Sequence, residues 1–132
     1  MSKSAIYTTN TTGATVPVDG IIPVGNTTRR YGCNIKQDGN AITLCGQGYY
    51  LVNVSAILSP SAAGTVSITA QKDGAPIIGA TGAQTAADNG TVNIGISAIV
   101  RNACGCESSI LSLVLGGVAA VVNNMAVTVE KL

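Results

Sequence analysis

Histidine is absent from this 132-residue chain. That removes the commonest general base, the usual nucleophilic triads and most zinc sites. The six acids are Asp19, Asp38, Asp73, Asp88, Glu107 and Glu130. Three of the four aspartates stand directly before glycine, where a short carboxylate satisfies turn backbone. No two acids are spaced as a general acid and base. The composition therefore speaks against an enzyme, and no cofactor is expected. Gly79-Ala80-Thr81-Gly82 is glycine-rich but lacks the lysine and the following helix of a phosphate loop.

Two constellations remain. The first is the four cysteines, Cys33, Cys45, Cys104 and Cys106. Three readings stand side by side. They are separate reduced thiols, as suits a reducing compartment; or a disulfide such as Cys33–Cys45; or a thiolate metal site. The second is Arg29-Arg30-Tyr31, the one cluster of charge. A basic pair beside a tyrosine could hold a sugar, a phosphate or an acidic partner surface. More often such a pair is a solvated hairpin end.

The elements that must position these groups are strands. The chain runs as about ten short β segments with turn signals every eight to twelve residues, the pattern of a sandwich or barrel. Residues 4–9, 15–18 and 21–24 are short, the last two carrying prolines that suit edges or bulges. Asp38-Gly39 centres a hairpin that runs from Arg29 to Cys45, pairing Ile35 with Ile42 and bringing Cys33 near Cys45. The stretch 48–57 has apolar groups on both faces and so lies in the middle of something. Residues 64–72 alternate cleanly and turn at Asp73-Gly74 into a short strand that fades into Gly79-Ala80-Thr81-Gly82. Residues 83–87 tolerate helix but are too short for one. The runs 91–100, 109–115 and 118–131 complete the set, with Asn123-Asn124 at a turn or bend. All 132 residues are expected to form a single domain with residues 1–4 as a short arm.

Composition narrows the setting. Hydrophobic residues make up 46% of the chain with no Phe or Trp, so Val, Ile, Leu and Ala build the core. Charged residues are only 10%, against a usual quarter. The surface is therefore Thr, Ser, Asn, Gln and Gly, or is covered by other copies. A net charge of +1 gives no pull on nucleic acid or membrane. No apolar signal region or membrane-length run is read in the sequence. The Asn-Xaa-Ser/Thr triplets at Asn10, Asn26, Asn53 and Asn89 are read as chance in a Thr- and Asn-rich chain.

Gly46-Gln47-Gly48-Tyr49-Tyr50-Leu51-Val52-Asn53-Val54 resembles the Gly-Xaa-Tyr central strand of the tumour-necrosis-factor-like and complement-globular-head jelly rolls. Asp73-Gly74, the length and place of the 90–101 strand, and the closing strand Ala126 to Leu132 carry the same resemblance. It is nearest to the small bacterial and phage members, including C-terminal domains of collagen-like spore-surface proteins.

The resemblance implies an all-β, TNF-like jelly-roll sandwich that assembles as a homotrimer. The sheet of 4–9, 48–57, 91–101 and 119–130 would face the threefold axis. Tyr50, Val52 and Val54 would face the core. Tyr49, Leu51, Asn53, Asn93, Gly95, Ser97, Ile99, Asn124, Ala126 and Thr128 would face neighbouring copies. The loops after residue 45 and at 102–107 would share one end, gathering the four thiols and allowing a metal site shared across the axis. The function implied is a structural virion protein, a trimeric head-decoration or fibre component of a bacteriophage. It would be assembled in the host cytoplasm against other capsid proteins, without nucleic acid or membrane partners. Two alternatives are a carbohydrate- or host-surface-binding module, through Arg29, Arg30, Tyr31 and residues 79–90, and a bacterial spore-surface or extracellular structural protein.

Overall fold

Period-two alternation of Val, Ile, Leu and Ala makes strands that are apolar on one face, and two such sheets bury those faces against each other. The computed structural model describes residues 4–87, 90–102 and 108–132. Eleven strands are described: β1 (Ala5–Asn10), β2 (Ala14–Val16), β3 (Asn26–Tyr31), β4 (Ile35–Asp38), β5 (Ala41–Cys45), β6 (Gly48–Pro60), β7 (Gly64–Lys72), β8 (Ala75–Ala86), β9 (Val92–Asn102), β10 (Ser108–Gly116) and β11 (Ala120–Lys131). No helix occurs among the described residues. The first sheet has the order β3-β1-β11-β6-β9, with β2 also paired to β11; the second has the order β4-β5-β10-β7-β8. Every strand pairing is antiparallel. The two antiparallel sheets make an all-β sandwich.

The core lies between the sheets. Tyr50, Val52, Val54, Ala56 and Leu58 of β6 face Val66 and Ile68 of β7 and Leu111, Leu113 and Leu115 of β10. Tyr50 is the one aromatic ring in this core; Val, Ile, Leu, Ala and Met side chains fill the rest. Met125, Val127 and Val129 of β11 are buried as the alternation requires. The register shifts between Val122 and Asn124, so Asn123 is the extra residue of a β-bulge rather than part of a turn. Its side chain donates to Ser59 Oγ at 2.6 Å. The bulge moves the inward positions from Ala120 and Val122 to Met125 and Val127.

Four expectations are corrected. First, the β4–β5 hairpin turns at Gly39-Asn40, one residue later than Asp38-Gly39. Asp38 pairs with Ala41, and Ile35 lies opposite Leu44 rather than Ile42. A shift of two in partner keeps Ile35 on the core face. Second, residues 29–36 are not one strand. Gly32-Cys33-Asn34 bends the chain from the first sheet to the second. Third, β8 does not fade at Gly79. It continues for twelve residues as the edge of the second sheet. Only Ala80 and Ala86 of it are buried, so no large apolar alternation announces it. Fourth, residues 83–86 are strand, not helix-tolerant loop.

Two glycines have specific roles. Asp73 (φ 53) and Gly74 (φ 84) both sit in the left-handed region, the type I′ hairpin geometry that an Asp-Gly pair supplies. Gly82 lies where the edges of the two sheets meet. A Cβ there would stand 2.6 Å from Ile94 Cγ2 and 3.1 Å from the Gly95 carbonyl oxygen. Beside it, Gln84 Oε1 accepts from the Asn93 amide at 3.1 Å.

Candidate functional site

The first sheet turns one face to the core and leaves the other uncovered. Pairing registers set that outer face out in rows. One row runs Tyr31, Ala5, Glu130, Leu51, Ile99; the next runs Arg29, Tyr7, Thr128, Asn53, Ser97. A third holds Thr9, Ala126, Ser55 and Gly95, and a fourth Asn124, Ile57 and Asn93. Tyr49 and Arg101 pair at one end. All the positions expected to face neighbouring copies therefore project from this one face.

The face has a distinct relief. Small residues in its middle leave a shallow groove of about 380 Å³, lined by Asn53, Ser55, Gly95, Ser97, Ala126 and Thr128. Large apolar groups stand around the groove. Tyr49 is 52% exposed and Ile99 58%. Tyr7, Tyr31 and Ile57 are exposed as well, so three of the four tyrosines lie on this face. The Arg101 guanidinium sits 5.9 Å from the centroid of the Tyr49 ring, and Lys72 Nζ donates to the Arg101 carbonyl at 2.9 Å.

Arg29, Arg30 and Tyr31 lie on β3, the outer edge strand. They line a hollow of about 210 Å³ together with Ala5, Ile6, Tyr7 and Thr128. Arg29 pairs with Tyr7 and Tyr31 with Ala5, so two rings and a guanidinium rise around a small floor. Arg30 also ties β3 to β4 across the sandwich, its Nε donating to the Ile35 carbonyl at 2.8 Å. Tyr7, Ser55, Ile57, Arg101 and Glu130 were not among the sequence candidates. Period-two extension of the same faces, from Asn53 to Ser55 and from Thr128 to Glu130, identifies them.

The cysteines divide. Asn34, not Cys33, stands opposite Cys45. The Cys45 amide donates to the Asn34 carbonyl at 2.7 Å, and Asn34 Nδ2 donates to the Cys45 carbonyl at 2.7 Å. Cys33 sits exposed in the 32–34 bend and Cys45 half-buried at the end of β5, both as free thiols. The Cys33–Cys45 disulfide, one of the three readings of these thiols, is not formed in this structure; Asn34 holds the place opposite Cys45. Cys45 Sγ lies 3.6 Å from Ser108 Oγ. Cys104 and Cys106 lie outside the described residues, and so does the four-thiol cluster expected of them. Among the described residues no group of three or more His, Cys, Asp or Glu side chains comes together.

A buried polar network braces this end. The Tyr50 hydroxyl lies 2.9 Å from both the Cys45 and the Gly46 carbonyl oxygens. Asn102 Nδ2 donates to the Leu44 carbonyl at 3.1 Å, and Ser109 Oγ donates to Asn102 Oδ1 at 2.6 Å. Burial raises the Tyr50 phenol above its ordinary 10.0, with Cys45 adding to the shift.

No protein-family model and no curated protein matches the sequence. Solved structures do match. A crystal structure of murine APRIL aligns over 99% of this chain and 100% of its own, at 13% identity and a TM-score of 0.72. The vertex protein P5 of PRD1 aligns over 98% of this chain and 96% of its own, at 16% identity and a TM-score of 0.68. The globular domain of zebrafish complement 1qA aligns over 97% and 95%, at 7% identity and a TM-score of 0.66. The fold expected from the central Gly-Xaa-Tyr strand is the fold found.

Proposed function

We propose that this chain is a structural protein of a virion, assembled in threes as a head-decoration or fibre component of a bacteriophage. The observation that carries the reading is the outer face of the first sheet. It is broad and little charged. It combines a groove of small residues with exposed Tyr7, Tyr31, Tyr49, Ile57 and Ile99. Exposed apolar groups gathered on one face mark an interaction surface, and aromatic residues are enriched at interface cores. The likeness to a phage vertex protein over nearly the full length of both chains supports the virion setting. Because fold alone does not fix function, the assignment stands on the face and is tested on particles. The partners are two further copies of this chain and other capsid proteins. No catalytic role is assigned to any residue.

The test has two parts. The purified protein has the solution mass of a trimer at micromolar concentration; a monomer there overturns the assembly. Purified particles from cells producing this chain contain it; particles lacking it overturn the virion role.

A second reading is favoured by one observation, the hollow of Tyr7, Arg29 and Tyr31 on the edge strand. Aromatic rings beside a guanidinium suit a sugar of a host surface. Binding to a glycan array that is lost in Arg29→Ala supports this role, and an array with no signal overturns it.

A further inference from the structure

We propose that Glu130 of one copy and Arg101 of the next form an ion pair in the assembly, repeated at each of three equivalent contacts. The inference rests on the threefold reading above and names two residues that hold it.

Glu130 is the one carboxylate on the outer face of the first sheet among the described residues. Its row neighbours are Ala5 and Leu51, whose side chains offer it no hydrogen bond. Covering this face with a second copy would strand the carboxylate unless a cation came with the partner. Two arginines share the face. Arg101 stands on β9 and Arg29 on β3, the two edge strands of the sheet. Within one copy each stands two strands across and one row along from Glu130, more than roughly 10 Å away.

A closed ring of three copies is built on heterologous contacts, in which one patch meets a different patch of the next copy. An edge strand of one copy then approaches the middle of its neighbour's sheet. Of the two edges, β9 carries the better-prepared cation. The Tyr49 ring stands under the Arg101 guanidinium, and Lys72 fixes the Arg101 carbonyl, so less side-chain freedom is lost on pairing. Tyr49, Leu51 and Ile99 surround the pair with apolar surface, and water excluded there strengthens it.

Charge exchange tests this. The residues altered project from the outer face of the single chain, so the variants keep the fold, which far-ultraviolet circular dichroism checks. Glu130→Arg and Arg101→Glu each raise the concentration at which trimers dissociate by more than about tenfold, as expected when one partner of a covered pair is reversed. The double variant Glu130→Arg/Arg101→Glu returns to near the wild-type value. Single variants that remain as tightly trimeric as wild type overturn the pair. Rescue of Glu130→Arg by Arg29→Glu in place of Arg101→Glu also overturns it. Loss of trimers in Leu51→Asp, with Glu130 variants unaffected, overturns the pair alone. A monomeric wild type overturns both the pair and the threefold assembly.

Discussion

Thr8 puts a hydroxyl at a core position of β1, fully buried and with no hydrogen-bond partner among the described residues. A hydroxyl taken out of water without compensation costs about 1–3 kcal/mol. Thr8→Val keeps the branched shape and is expected to stabilise the protein by about 1 kcal/mol, read as a higher urea midpoint at unchanged slope. Tyr50 is the opposite case, a buried polar group that is well served. Its carbonyl partners keep other donors, since Asn34 Nδ2 also reaches the Cys45 carbonyl and Asn102 Nδ2 the Gly46 carbonyl. Tyr50→Phe should therefore cost only about 1 kcal/mol. The raised phenol also sets a pH dependence. The folded state favours the neutral form, so that stability is whole below the unfolded value of 10.0 and is lost as pH rises beyond it. Denaturation midpoints between neutral and alkaline pH should fall in wild type and fall less in Tyr50→Phe. At this scale the sequence was informative about Tyr50 and Tyr49, because adjacent residues of a strand face opposite ways. It could not show that Thr8 lacks a partner, which depends on what β3 and β11 leave beside it.

Among the elements, the hairpin at Asp73-Gly74 was legible because both turn residues accept positive φ. The β4–β5 hairpin was misplaced by one residue because Asp-Gly and Gly-Asn are both competent turn pairs. Alternation cannot choose between them, because registers two residues apart put the same side chains on the core face; the fold takes the one that sets Ile35 opposite Leu44. β8 was half-hidden. Its glycine, alanine and threonine residues form an edge where cross-strand hydroxyl contacts such as Thr65–Thr85 and Thr69–Thr81 replace apolar burial. Gly82 tests this account. In Gly82→Val the new side chain meets Ile94 and the Gly95 carbonyl. We expect a loss of about 1–3 kcal/mol, the range for overpacking, and faster amide exchange in β8 than in β6. Wild-type stability in this variant would show that the two edges do not close on each other.

Across the whole molecule, the two sides of β6 carry different loads. Val52 is wholly buried and Leu51 lies half-buried on the outer face. Val52→Asp places an uncompensated charge in the core and should abolish folding, since several kcal/mol is a large part of a typical stability of about 5–15 kcal/mol. Leu51→Asp should fold and yield monomers. Circular dichroism with sedimentation separates the outcomes; a trimeric Leu51→Asp protein would remove this face from the interface. A sandwich or barrel of about ten strands, and two faces on β6, could be read from alternation and glycine placement; which strands share a sheet with β6 came only from the family resemblance. The relief of the outer face could not be read, because groove and hollow arise from residues on five strands that only register brings side by side.

With no tryptophan in the chain, its near-ultraviolet emission comes from four tyrosines, and three of these stand on the outer face of the first sheet. Tyr50 alone reports on the interior. The protein thus carries its own optical gauge. Dilution that parts the copies would change the emission of Tyr7, Tyr31 and Tyr49 while the protomer stays folded, and denaturant would then alter Tyr50 in a second step. No label is needed to separate coming apart from coming undone.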